Sequence, residues 1–356
     1  MNKISSISVL ALMILLASCK VPESKAWVVT TFAGSTEGFA DGTGAAAMFN
    51  QPSGVAVDSS GIVYVGDTLN NRIRKITPAG VVTTFAGSDT RGHKDATGTE
   101  AQFKHPGGVA VDSSGTVFVA DYGNHCIRKI TQAGVVTTLA GTHTDDGFKD
   151  ATGTEARFTR PSGVAVDSSG NVYVADSGNH RIRKITPEGV VTTFAGSGTA
   201  GSEDGTGTDA QFKAPGGVAV DSSGNVFVAD YNNHRIRKIT PADRIEDRVV
   251  STLAGDGTAD FADGAGTTAQ FNSPNGVAVD SSGTVYVTDK ENHRIRKITQ
   301  AGVVSTLAGR TSGYKDGTGT DAQFKNPDGV AVDSSGTVYV ADTLNHRIRK
   351  IEYKVP

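Results

Sequence analysis

Residues Gly163 to Gly196 read GVAVDSSGNVYVADSGNHRIRKITPEGVVTTFAG, and the fold is decided there. Val164 to Asp167 is one apolar run, Ser168-Ser169-Gly170 a turn, and Val172 to Ala175 a second run. A third follows from His180 to Ile185, then the turn Thr186-Pro187-Glu188-Gly189 and a fourth run ending at Ala195. Val, Ile, Tyr, Phe and Thr dominate, as a pleated and half-buried surface prefers. Short Gly-containing links between such runs make hairpins. The stretch predicts a four-stranded antiparallel sheet, with strands a to d in chain order.

Working outward, GVAVDSSG begins at Gly54, Gly108, Gly163, Gly217, Gly276 and Gly329, at intervals of 53 to 59 residues. Self-similarity of this kind marks a repeat architecture. Apolar residues in strands a and b fall at successive positions, so both faces of each sheet need cover. Blades packed around an axis supply it, whereas a two-layer sandwich leaves one face polar. A strand d occurs once before the first copy, Val28 to Ala33, and the last copy stops after strand c at Ile351. The expectation is an all-β, six-bladed β-propeller over residues 27–356, in which the N-terminal strand completes the last blade. Such closure leaves no long unpaired edge.

Composition agrees with many short strands and tight turns: 44 of 356 residues are Gly and aromatics make up 6%. The net charge of −3 gives no field that would draw nucleic acid, so none is expected as a partner. Residues 1–18 have the pattern of an export signal: Lys3, then an apolar run from Ile4 to Ala17. That run is shorter than the roughly 20 residues of a spanning helix. It ends in Leu16-Ala17-Ser18-Cys19, which resembles the lipobox of bacterial lipoproteins. The resemblance implies cleavage before Cys19, lipid on its sulfur and a tether over residues 19–26. With Lys20 rather than Asp after the cysteine, it implies the outer membrane of a bacterial envelope. Two or three acyl chains would anchor the protein stably, where one alone is marginal. Cys126 is then left without a partner, so the exported chain must hold together without disulfides.

The Asn-His-Arg-Ile-Arg-Lys run at Asn179-His180 returns in similar form at Asn124-His125, Asn233-His234, Asn292-His293 and Asn345-His346. Following a short hairpin, it resembles the NHL repeat over residues 27–352. The first blade departs with Asn70-Asn71, and Cys126 stands where the other blades have Arg. The resemblance implies platforms for protein, RNA or ligand binding and, in a related lineage, metal-dependent hydrolases and lyases.

The five repeated His residues do not suit a metal ring. Strand c lies two strands out from strand a, about 9–10 Å farther from the axis at roughly 4.7 Å per strand. Zinc needs nitrogens at about 2.0–2.1 Å. Turn stabilisation and blade packing are expected of them. Asp58, Asp112, Asp167, Asp221, Asp280 and Asp333 open Asp-Ser-Ser-Gly turns and are read as Asx turns rather than calcium ligands. Asp67, Asp121, Asp176, Asp230, Asp289 and Asp342, closing strand b, are read likewise. The Gly-rich unit Asp204 to Phe212 lacks the Lys-Ser/Thr of a phosphate loop, and its repeated Phe (Phe49, Phe103, Phe158, Phe212, Phe271, Phe324) reads as an anchor onto the blades.

At the channel mouth, just after the repeated Pro, stand Ser53, Gly107, Ser162, Gly216, Asn275 and Asp328. The related enzyme lineage implies acidic and Asn residues in the channel as metal ligands; only Asn275 and Asp328 are similar to those, and two ligands without a base or nucleophile make no catalytic constellation. No catalytic residue and no cofactor is expected. Positions that vary among copies are free for specificity, and the d–a loops hold Phe39, His93, Phe148, Phe261 and Tyr314, the candidate ligand-binding residues. Opposite them, the c–d turn of the fourth blade carries the charged extension Asp243 to Arg248. The functional expectation is a monomeric, membrane-anchored, non-enzymatic scaffold recognising a protein or glycan through its loop face. The alternative is a calcium-dependent, lactonase- or lyase-like propeller enzyme with its site at the channel mouth.

Overall fold

The computed structural model describes residues 25–355; Cys19 and the signal segment lie outside them. Six antiparallel sheets form a closed ring, each ordered a-b-c-d outward from the axis. Blade three shows the pattern: Pro161–Val166, Val172–Asp176, Arg181–Ile185 and Val191–Ala195. In blade six, strand d is the N-terminal Ala26–Gly34. It pairs along Arg347–Lys354 from Ala26 opposite Lys354 to Gly34 opposite Arg347. The ring is closed as expected. Outside strand d, blades one, four, five and six carry a two-residue strand, and blades two and three single bridges at Thr97–Val135 and Thr152–Val190. These short segments cover each blade's outer edge against pairing with another chain.

The core is six layers, one between each pair of neighbouring blades. Between blades three and four, for example, Tyr173, Ile182 and Phe194 meet Phe212, Val226 and Ile239. The six anchoring Phe residues are fully buried in these layers. At the innermost edge the repeated Gly is a steric requirement. A Cβ on Gly54 would stand 2.3 Å from the Gly107 carbonyl oxygen, one on Gly163 2.6 Å from that of Gly216, and one on Gly329 2.3 Å from that of Ser53. Strands a approach too closely for any other residue.

The Asp residues closing strand b are not turn caps, which corrects the expectation above. All six are fully buried, each against an equally buried Arg two positions into strand c: Asp176 Oδ2 accepts from Arg183 Nη1 at 2.8 Å. Its Oδ1 accepts the Thr159 N–H and its Oδ2 also the Asn179 amide. The guanidinium donates further to the Arg157 and Lys149 carbonyls and to Asp150. Burying two charges is costly unless every lone pair and proton is matched, and this network comes close to doing so. Burial still pushes the Asp121 carboxyl up to about 6, against the pull of Arg128. The Asp-Ser-Ser-Gly residues do form Asx turns, as with Asp167 Oδ1 accepting the Ser169 and Asn171 N–H groups.

The His residues fasten blade to blade. Each sits in the left-handed region after a short 3-10 turn, as His180 does at φ 54°. Its Nδ1 accepts a backbone N–H of the next blade: Arg160 to His125, Ala214 to His180, Ser273 to His234, Asn326 to His293 and Gln51 to His346, at 3.0 to 3.3 Å. In blade one, Asn71 Oδ1 accepts the His105 N–H at 3.1 Å and does the same work. Six latches close the circle.

Candidate functional site at the channel mouth

Where the d–a and b–c loops meet, the channel opens into a cavity of about 540 Å³. Two positions per blade supply most of its polar lining, with Leu69, His105 and Asn232 beside them and Thr343 buried behind it. One position follows the repeated Pro and begins strand a; the other follows the buried Asp of strand b and begins the 3-10 turn. The pairs are Ser53/Thr68, Gly107/Tyr122, Ser162/Ser177, Gly216/Tyr231, Asn275/Lys290 and Asp328/Thr343. The two blades with Gly at the first position carry Tyr at the second.

On one side of the mouth lie Tyr122 and Tyr231, with Ser177 of the intervening blade between them in the ring order. On the other, three blades converge on Asp328. Its Oδ2 accepts from Lys290 Nζ at 2.8 Å, and its Oδ1 from Ser53 Oγ at 3.2 Å and from the Asn275 amide. Thr288, standing where four other blades have Ala, donates to the Asp328 carbonyl at 2.5 Å and accepts the Gly276 N–H at 2.7 Å. Asp328 holds the Lys290 ammonium above its ordinary range. Below the mouth is a separate, smaller cavity lined only by the Val-Ala-Val segments of the six strands a.

Asn275 and Asp328, the two candidate metal residues, are thus brought together, but they do not fit a divalent cation. The Lys290 ammonium already stands at the carboxylate oxygen a metal would need. Among the described residues, no three His, Cys, Asp or Glu side chains converge as a metal-holding group. Lys290, Tyr122 and Tyr231 were missed in the sequence. The signal that could have found them is the residue after the strand-b Asp, which differs among copies while the Asp itself does not.

The rim residues lie apart from one another, one to a blade. Phe39, Phe148, Phe261 and Tyr314 each stack on the Arg that opens strand c of their blade, with the guanidinium carbon 3.7 to 3.9 Å from the ring centre. The buried Arg lies 4.7 to 5.2 Å from the same ring. One face of each ring is therefore spent on a cation inside its own blade. In blade two His93 replaces the ring and Cys126 the Arg, and in blade four Ser202 replaces the ring while Arg235 is kept. His93 stacks on His143 with centroids 4.2 Å apart, and burial, with Arg128 and His143, lowers it to about 4. The Asp243–Arg248 turn folds back on blade three, with Arg248 4.4 Å from the Phe194 ring centre.

The NHL repeat model matches six segments, residues 49–76, 103–130, 158–185, 212–239, 271–298 and 324–351. The chain is built of NHL repeats. Each match runs from an anchoring Phe to the last Ile of strand c, so one NHL repeat takes in the anchor, the buried Asp–Arg pair and the blade latch. The chain is 31% identical over 341 residues to NHL repeat-containing protein 2 of Gallus gallus, covering 85% of this chain and 46% of that protein. It spans less than half the length of the curated relatives it matches. Among solved structures, an auxiliary nutrient binding protein of Bacteroides thetaiotaomicron superposes with a TM-score of 0.71 at 20% identity, covering 93% of this chain and 77% of that one. A gluconolactonase of Xanthomonas campestris superposes with a TM-score of 0.61 at 13% identity, covering 92% and 89%. At those identities both likenesses concern the fold.

Proposed function

We propose that this NHL propeller is a non-enzymatic binding module, held to a bacterial envelope membrane by lipid on Cys19, that takes its ligand at the channel mouth. The observation that carries the reading is where sixfold symmetry fails. The anchors, the Asp–Arg pairs, the latches and the glycine ring recur in every blade, while the mouth holds two tyrosines facing a Lys–Asp–Asn group. A repeat that keeps its framework while the residues around its channel vary leaves those residues free for recognition. The auxiliary nutrient binding protein that shares the fold supports the class, and the Lys290–Asp328 pair speaks against the lactonase- or lyase-like alternative at the same place.

Strand d of blade six starts on the tight-turn face, opposite the mouth. Seven residues from Lys20 to Ala26 reach at most about 24 Å. The tether would therefore seat the tight-turn face toward the bilayer, with the mouth open to a glycan or protein partner. Lys75, Lys129, Lys184, Lys238, Lys297 and Lys350, late in strand c, would add a modest attraction to anionic headgroups.

Capture from detergent-solubilised envelope extracts tests the location. Tyr122→Ser with Tyr231→Ser should abolish capture of the wild-type partner. Replacing Phe39, Phe148, Phe261 and Tyr314 by Ser should weaken it no further than the lost blade stability requires. The reverse result would move the site to the rim.

A further inference from the structure

Resting on the mouth as the binding site, we infer that its ligand is an uncharged saccharide of one or two rings. It would be seated against Tyr122 and Tyr231 and hydrogen-bonded by Asn275, Asp328 and Lys290. Charge decides the class. Lys290 and Asp328 neutralise one another at 2.8 Å, both side chains being less than a quarter exposed. An anion entering the mouth would lose its water beside Asp328, and a cation beside Lys290. Neither gains an unshared partner that repays the desolvation. An uncharged ligand meets no such penalty.

The remaining lining selects hydroxyls. Asp328 accepts, Lys290 donates, and Asn275, Asn232, Ser53, Ser177, the two phenols and His105, which burial together with Arg91 and Lys104 holds below the ordinary histidine range, do both. A sugar hydroxyl, itself donor and acceptor, can join such a set at any point without leaving a buried group unmatched. The tyrosines supply the other half of sugar chemistry: a flat apolar face, for the C–H side of a pyranose ring, with a polar tip. Lys290 Nζ stands over the Tyr231 ring at 5.9 Å from its centre, a looser contact than the 3.7 to 3.9 Å stacks at the rim, so the platform and the polar group adjoin.

Size and depth limit the length. The cavity of about 540 Å³ lies within the roughly 300–1,000 Å³ of small-molecule sites. Below it the channel narrows to a cavity of about 170 Å³ between the six Val-Ala-Val segments. A glycan chain has reason to stop at the mouth rather than thread the ring.

A glycan array carrying neutral, uronate-bearing, sialylated and sulfated oligosaccharides tests this, with variants first matched to wild type by melting temperature. Wild type should bind short neutral glycans. Tyr122→Ala and Tyr231→Ala, singly and together, should lose about tenfold or more in apparent affinity, the scale of one or two aromatic contacts. Asp328→Asn leaves Lys290 unbalanced and should shift binding toward uronate-bearing glycans, which a merely structural Asp328 would not do. Binding confined to anionic glycans and lost in the tyrosine variants would overturn the ligand class while leaving the mouth as the site. Neutral binding that survives both tyrosine changes would overturn the mouth itself. No binding to any glycan would overturn the saccharide.

Discussion

Arg183 shows how a residue that looks like surface charge becomes the centre of a blade. In the sequence it belongs to an Arg-Ile-Arg-Lys run, the pattern of a solvated strand edge. In the fold it is fully buried, between the Phe148 ring at 4.8 Å and the Phe158 ring at 4.9 Å, with both terminal nitrogens hydrogen-bonded. Strand pairing places Asp176 directly opposite Arg181, yet Asp176 binds Arg183, its diagonal neighbour. Sequence spacing did not reveal that diagonal, because Asp176 heads a Ser-Gly-Asn turn and reads as an ordinary cap. Breaking the pair leaves an uncompensated buried carboxylate. Arg183→Met should therefore cost about 3–5 kcal/mol of unfolding free energy in urea denaturation. A loss below about 1 kcal/mol would mean that the pair is replaceable by simple packing.

The latches belong to the scale of the element, since each ties one blade's turn to the next blade's first strand. A latch needs the Nδ1 lone pair, and so a neutral imidazole. Burial lowers His125, His180, His234, His293 and His346 below the ordinary histidine value of about 6.5. A histidine depressed in the folded state takes up its proton more readily once unfolded. Its contribution is thus fully present above pH ~6.5 and lost as pH falls through the folded value. The melting temperature of the wild type should fall between pH 7 and pH 5. Blade one supplies the control, because Asn71 makes the same bond with an amide that does not titrate. With all five His changed to Asn, the protein should keep its neutral-pH melting temperature within a few degrees and lose much of the acid sensitivity. Equal acid sensitivity in both proteins would place the effect in the carboxylates. That the His residues pack blades was legible from their distance to the axis. The donor on the next blade was not, since it is a backbone N–H at positions occupied by Gln51, His105, Arg160, Ala214, Ser273 and Asn326, which share no residue type.

At the scale of the whole molecule, the ring was the most legible feature. Six copies fix the blade count, and the unmatched strands at either end fix the closure. Removing residues 19–34 from a leaderless form should uncover the edge of Arg347–Lys354 and produce aggregation or a large loss of melting temperature. An unchanged melting curve would contradict closure by that strand. The anchor is tested separately: Cys19→Ser should leave an unlabelled protein in the soluble fraction, whereas wild type should take up palmitate and sediment with membrane; a wild type without label would contradict the anchor. The mouth was only partly legible. The position after the Pro could be traced from the repeat, and Asn275 and Asp328 were singled out there. Lys290 sits 38 residues from Asp328 and on another blade, so only the folded ring joins them. That junction is what stands against a metal at Asp328. Mass-spectrometric metal analysis of the purified, dialysed protein should find neither calcium nor zinc in stoichiometric amount. One equivalent of either metal, lost on Asp328→Ala or Asn275→Ala, would contradict it.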